Sequence, residues 1–595
     1  MTKIPTYVTL AICTLLASST LSLSAFAGQL PLTGQTSKSS TADTVLINAH
    51  VYTVNDKQPK ASAIAIKDGR IIYVGDKKGI QAYIGEQTHT RNIKGKLVLP
   101  GFQDAHVHPM EGASLETFLG CDLVDIADEI DDPELWIDEI RGCAELPAPH
   151  DWILGGGHDH HQLMDLERLP KEILDEAFPN KPVAFMEKSS HSMWVNSKAL
   201  ELVGINKDTP HPQGGKIGKD ALTGEPTGIL YDSAGDELMH KALAKTEKLQ
   251  AARYQAILRS QDLLAKHGIT SAVNARVYWT RGNLEPWLKA QENNRLKARN
   301  IMSLWAYPHL EDSYQLKQLK AMYQNDPDAL LRVNKVKFYS DGVPELNSAA
   351  VLNPYGVLVH DQAEPLGGNY FTAERLAKYI TALEPMGFGA IIHAIGDRGT
   401  REALNAIEAA NKANPKLAGN KRRHYITHVH WVSEQDIPRF AKLNVPADTQ
   451  MNYIDFEDYE SGDYYGDDEL NKQLFAHNKS DTNALPELHQ TGAKIVISSD
   501  WDVASIDPLF SIQNAIQEFK GAMPESDIIK LAVKAYTLNA AYALAQEEQT
   551  GSIEVGKYAD LIVLDQNIFE IPAINIRDTK VMLTLLAGEE VYQRK

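Results

Sequence analysis

Apolar residues in this chain follow distinct spacings, and each spacing predicts a type of element. Towards both ends they fall in short β-branched runs. Residues 44–54 (TVLINAHVYTV), 61–75 (ASAIAIKDGRIIYVG) and 91–101 (RNIKGKLVLPG) make one such block, with KDGR at 67–70 predicted as a hairpin turn. Residues 551–566 (GSIEVGKYADLIVLDQ) and 581–593 (VMLTLLAGEEVYQ) make another. Each block alone has too few strands for a stable sheet, which favours pairing of the two without dictating it. Between the blocks, runs of strand length alternate with amphipathic stretches such as AERLAKYITALEPM (373–386) and REALNAIEAANKANP (401–415). Eight candidate strands lie at 99–108, 268–275, 300–307, 333–342, 387–397, 424–432, 444–452 and 493–500. Such alternation predicts a parallel α/β fold, and eight strands predict a (β/α)8 barrel. A doubly wound sheet is the rival arrangement, but no glycine-rich phosphate loop follows the first strand.

Two stretches depart from this rhythm. Residues 110–266 separate the first two candidate strands. That is too long for a barrel loop, so an insertion with its own structure is expected over the barrel mouth. The first 27 residues carry Lys3, an apolar stretch from Val8 to Leu23 and the small-residue site Ala25-Phe26-Ala27. This is the layout of a signal peptide cleaved after Ala27, and it predicts export to the periplasm or beyond. An uncleaved anchor is the rival reading, but the stretch is short and broken by Ser and Thr. The expected plan is therefore a leader (1–27), a flexible lead-in (28–43), a barrel (100–549) and flanking β-blocks (44–99 and 550–595).

Composition changes this picture little. The 595 residues are 43% hydrophobic and 23% charged, as in ordinary globular proteins. A net charge of −19 argues against nucleic acid or an anionic membrane as partner. No later run is apolar enough to span a membrane. A small-molecule partner is expected, and assembly into a homo-oligomer is left open. Removal of the leader takes Cys13 with it and leaves Cys121 and Cys143, an even pair that in an oxidising compartment predicts a disulfide.

Candidate chemistry gathers where a parallel barrel places its active site, at the C-terminal strand ends. The first strand ends in His106 and His108, two residues apart and so on one face. The fourth carries Lys337, the fifth His393, the sixth His428 and the eighth Asp500. Histidines and a carboxylate on separate strands suit zinc or a similar divalent ion.

The segments LPGFQDAHVHP, VKFYSDG, IIHAIGDRG, HYITHVHW, SSDWDV and GSIEVGKYADLIVLD together resemble the amidohydrolase superfamily, and within it the family 3 branch of N-substituted formamide deformylase-like enzymes. The likeness runs from about Thr44 to the C-terminus and includes DWILGGGHD, HSMWVNSKAL and GEPTGIL. It implies a metal-dependent barrel with a composite β-sandwich built from both chain ends. It implies metal ligation by His106, His108, His393, His428 and Asp500, with Lys337 at the place of a lysine that can be carboxylated and bridge two metals. An unmodified Lys337 paired with an acid is the alternative, and one or two ions are compatible with the pattern.

The expected reaction is hydrolysis of a non-peptide C–N bond such as an N-acyl, N-formyl or cyclic amide. Metal-activated water would attack, and Asp500 would act as general base. An ester, carbamate or amidine on the same site, or a non-catalytic binding barrel, are the alternatives. Four other residues are expected near the substrate or behind the ligands: His191, Asp159, Trp501 and His430. His430 repeats the His-Val-His spacing, and strand alternation would let it face the same way as His428. Thr427 stands where the family usually has Glu. The histidines beside Asp159, at 158, 160 and 161, are read as a surface loop rather than a second metal site. The acidic stretch 455–469 is read as a solvated loop on the catalytic face.

Overall fold

Eight short parallel strands, each buried along its whole length, form the centre of the molecule. They are β1 (Phe102–Val107), β2 (Ile269–Val277), β3 (Arg299–Trp305), β4 (Leu331–Tyr339), β5 (Gly389–Ala394), β6 (Tyr425–His428), β7 (Ala447–Gln450) and β8 (Ile495–Ser498), paired in chain order. All eight coincide with strands expected from the apolar pattern. The ring closes at its C-terminal end, where a parallel bridge joins Val107 to Trp501 and the Asp500 N–H donates to the His106 carbonyl at 2.8 Å. This is a computed structural model, and it describes residues 41–114, 119–146, 148–164, 166–359, 363–417, 422–452 and 484–595. The expected leader and the acidic stretch 455–469 lie outside the described residues.

At least one helix follows each strand, as the alternation requires. Ala373–Leu383 is capped by Thr372, whose hydroxyl accepts from the Arg375 N–H, and it buries Leu376, Tyr379, Ile380 and Leu383. Helix Glu247–Lys266 falls inside the stretch expected as insertion. It runs directly into β2 and packs on the helix after it, so it belongs to the outer ring and the inserted domain ends earlier.

The inserted residues build a separate six-stranded sheet from 120–122, 153–156, 183–186, 192–195, 226–232 and 215–219. The Gly-Gly-Gly run at 155–157 serves its packing: a Cβ on Gly155 would meet the Cys121 carbonyl at 1.9 Å, and Gly157 takes φ +116°. Cys121 and Cys143 are joined by a disulfide.

The two terminal β-blocks meet in one sheet. Leu561–Leu564 pairs antiparallel with Leu97–Pro100, in an eight-stranded sheet that also contains 44–52, 60–67, 70–75, 581–586 and 589–593. Alternation splits its side chains between two cores. Leu97, Leu99, Ile562 and Leu564 pack with the barrel, whereas Val98, Leu561 and Val563 join Leu46, Ile64 and Ile66 on the other face. The expected KDGR hairpin is present, with Asp68 and Gly69 both at positive φ (+48° and +75°).

Candidate metal centre

The C-terminal ends of five strands bring His106, His108, Lys337, His393, His428 and Asp500 into one buried cluster. Ring centroids are 5.3 Å apart for His106 and His108, 5.1 Å for His106 and His428, and 4.4 Å for His393 and His428. Asp500 Oδ1 lies 3.3 Å from His106 Nε2 and 3.0 Å from His108 Nε2, and Lys337 Nζ lies 3.1 Å from that same His106 atom. One ligand atom from each of His106, His108 and Asp500 falls within 4.8 Å of the others.

Local structure sets these positions. Asp104, two residues before His106, accepts from the backbone N–H of His106 and of Ser499, both at 3.1 Å, and so ties β1 to the end of β8. Asp500 then takes φ +53° and His428 takes φ +78°. Non-glycine residues seldom adopt that region, and here two occur at one site.

Hydrogen bonds fix the state of the rings. His106 Nδ1 bonds to Thr427 Oγ1 at 2.7 Å, and that hydroxyl donates onward to Asp448 Oδ2 at 2.7 Å. His428 Nδ1 bonds to Gln450 Oε1 at 2.8 Å. Both rings are thereby held with Nε2 as the bare lone pair. His393 is reversed: Nε2 donates to the Gly342 carbonyl at 3.1 Å, and its buried Nδ1 has no hydrogen-bond partner. Burial, followed by Lys337 for His106 and His428 and by His428 for His393, holds all three well below the usual histidine range. They are neutral donors, the form a metal requires. Burial raises Asp500, but His106, the His108 hydrogen bond and Lys337 outweigh it and keep the carboxylate ionised. Burial lowers the Lys337 amine to about 7, and its contacts include no acid within 4.0 Å among the described residues. Lys335, one layer below, donates instead to the carbonyls of Arg423 (2.7 Å) and Ala543 (2.6 Å).

The second His-Val-His differs from the first. β6 ends at His428, and Val429 also takes positive φ (+47°), so strand alternation no longer governs His430. Its ring stands perpendicular to His428, 6.2 Å away, and burial lowers it to about 4. Thr427, at the family's Glu position, provides the hydroxyl between His106 and Asp448.

His191 reaches the cluster from the insertion. Its Nδ1 lies 2.6 Å from Asp232 Oδ1, the Tyr370 hydroxyl also bonds to Asp232, and its ring stands 5.2 Å from His393. Trp501 packs over Gly112 and seals β8 to β1. Asp159 is not among the cavity-lining residues; it sits at the N-cap of the 160–163 turn and pairs with Lys188 at 3.3 Å. His158 and His160 are not on the surface, as expected from sequence, but buried against Trp194 and Tyr231. Only His161 of the three is exposed.

A solvent-connected recess adjoins the cluster, walled by the insertion through His191 and Asp232 and by the barrel through Arg276, Tyr339 and Asp502. Arg276, Asp232, Asp448 and Gln450 were absent from the sequence-derived site. Arg276, near the end of β2, and Gln450, the last residue of β7, had a readable signal as polar residues at strand C-terminal ends.

Residues 89–592 match the amidohydrolase family. The chain is 26% identical over 572 residues to the protein LONG AFTER FAR-RED 3 of Arabidopsis thaliana, covering 93% of this chain and 92% of that one. It is 26% identical over 569 residues to the N-substituted formamide deformylase of Arthrobacter pascens, covering 93% and 98%. Among solved structures, an uncharacterized metal-dependent hydrolase from Pyrococcus furiosus superposes with a TM-score of 0.63 at 21% identity, covering 89% of this chain and all (100%) of that one.

Proposed function

The chain belongs to the amidohydrolase family, and on that premise we propose that it is an exported metal-dependent enzyme that hydrolyses a non-peptide C–N bond in a small molecule, such as an N-acyl, N-formyl or cyclic amide. The observation that carries this reading is the donor set: neutral His106, His393 and His428, each with one ring nitrogen donating to the protein and the other left as a lone pair, that of His106 facing Lys337, around an ionised Asp500 that also meets His108. Such nitrogen and carboxylate donors suit zinc, as one ion or two. Lys337 supports the two-ion form. Its buried amine sits beside His106 with no described carboxylate within 4.0 Å, and a neutral amine is the form that can react with carbon dioxide to give a bridging carbamate.

A divalent metal bound here would activate water and polarise the scissile carbonyl. Asp500, ionised and touching both β1 histidines, takes the proton of the attacking water and passes it to the departing nitrogen. Asp232 holds the Nδ1 proton of His191, so that Nε2 is directed for contact with the substrate. The cystine and the leader-like N-terminus support export. An ester, carbamate or amidine would be served by the same residues. The test is a hydrolysis screen of metal-loaded protein over N-formyl, N-acyl, dipeptide and cyclic amides. Cleavage that chelation abolishes is expected, and no cleavage by fully loaded, folded protein would refute the proposal.

A further inference from the structure

We infer that the substrate carries a carboxylate close to the bond that is cut, and that Arg276 receives it; this rests on the reading of the centre as a hydrolase site. Arg276 is the penultimate residue of β2, at the catalytic end of the barrel, and lines the recess. It is 7% exposed. Nη1 donates to the Tyr339 hydroxyl at 2.9 Å, Nε is buried without a partner, and no described carboxylate lies within 4.0 Å.

Other buried arginines each meet a carboxylate or two carbonyls of the fold, although Arg253 and Arg281 also leave Nε without a partner. Arg299 makes two bonds to Asp560 (2.8 and 3.3 Å), Arg281 meets Asp236 at 3.0 Å, and Arg253 donates to the carbonyls of Arg281 (2.8 Å) and Leu243 (2.9 Å). A guanidinium stays charged at any working pH, and burying it unpaired is costly. An arginine left short of acceptors on the wall of a cavity is therefore a site whose partner comes from outside. Its planar fork suits a carboxylate held by two parallel bonds.

The position sets the distance to the chemistry. Tyr339, which Arg276 touches, has its ring 4.3 Å from that of His393. The anion therefore sits one side chain from the cluster. Glu111 and Asp502 also line the recess, so selectivity comes from the aimed N–H donors rather than from a positive field. Tyr278 and Trp305 beside them suit an apolar or aromatic acyl portion.

Calorimetry on the full-length, metal-stripped protein tests this with hippurate and its neutral counterpart hippuramide, so that the carboxylate cannot bind metal. Hippurate is expected to bind at least about tenfold more tightly, and Arg276→Gln to remove the difference, as loss of charge-assisted hydrogen bonds implies. Arg276→Lys should keep part of it. Equal binding of the two probes by the wild type, no hippurate binding, or an undiminished difference in folded Arg276→Gln would overturn the inference. If Arg276→Gln does not fold, the wild-type comparison and Arg276→Lys decide. Selective hippurate binding by a protein that cleaves no amide when metal-loaded would refute the hydrolase reading and leave the anion site standing.

Discussion

Thr427→Val removes one oxygen and little volume from the interior, and it isolates the hydroxyl that orients His106. Thr427 is fully buried; its Oγ1 meets His106 Nδ1 at 2.7 Å and Asp448 Oδ2 at 2.7 Å. Valine makes neither bond, so the buried His106 N–H loses its partner and the buried Asp448 carboxyl loses one of its own. A buried polar group left unsatisfied costs about 1–3 kcal/mol, so the fold is expected to lose a few kcal/mol and remain formed. The larger effect falls on the centre. With Nδ1 unheld, His106 can rotate or change tautomer, and loss of such a supporting bond weakens metal binding by roughly 10–100-fold. Competition against a chelator of known affinity measures this, with circular dichroism to confirm folding. Thr427→Ser keeps the hydroxyl and should restore most of the affinity. An affinity unchanged in folded Thr427→Val would refute the claim that this bond fixes the ligand.

Asp500→Asn should lower kcat by at least about 100-fold, since it removes the base, and metal content should be measured alongside because the same carboxylate meets His106 and His108. Asp232→Asn should lower kcat by about tenfold or more with little change in melting temperature, because it no longer selects the His191 tautomer; an equal loss of folding would show a structural role instead. Thiol titration of the unfolded, unreduced mature protein should find no free cysteine, and Cys143→Ser should cost on the order of 3 kcal/mol in urea unfolding, from the 22-residue separation of the bridge.

The barrel was legible because its strands and helices are local patterns: each strand is a short apolar run and each helix an amphipathic one. The His106–His108 pair was legible for the same reason, since two-residue spacing on a strand has one geometric meaning. Pairing of Leu561–Leu564 with Leu97–Pro100 carries no local signal, and it came from family resemblance rather than from the residues. His430 shows where periodicity fails. Positive φ at His428 and Val429 ends the strand, and nothing in Thr-His-Val-His announces that turn. Asp448 and Gln450 were missed because their role is to hold other side chains, which is visible only once β6 and β7 lie side by side. His158 and His160 were placed on the surface because a polar Gly-His-Asp-His-His run resembles a loop; aromatic packing against Trp194 and Tyr231 buries them.

The central claim is that this cluster holds the metal on which C–N hydrolysis depends. Chelated protein titrated with zinc, while cleavage of an amide found in the screen is followed, tests it most directly. Activity is expected to be absent without metal and to rise with metal bound until one or two ions per chain are taken up. Activity that persists after chelation, or full zinc uptake by a folded His106→Asn/His108→Asn double variant, would contradict the account.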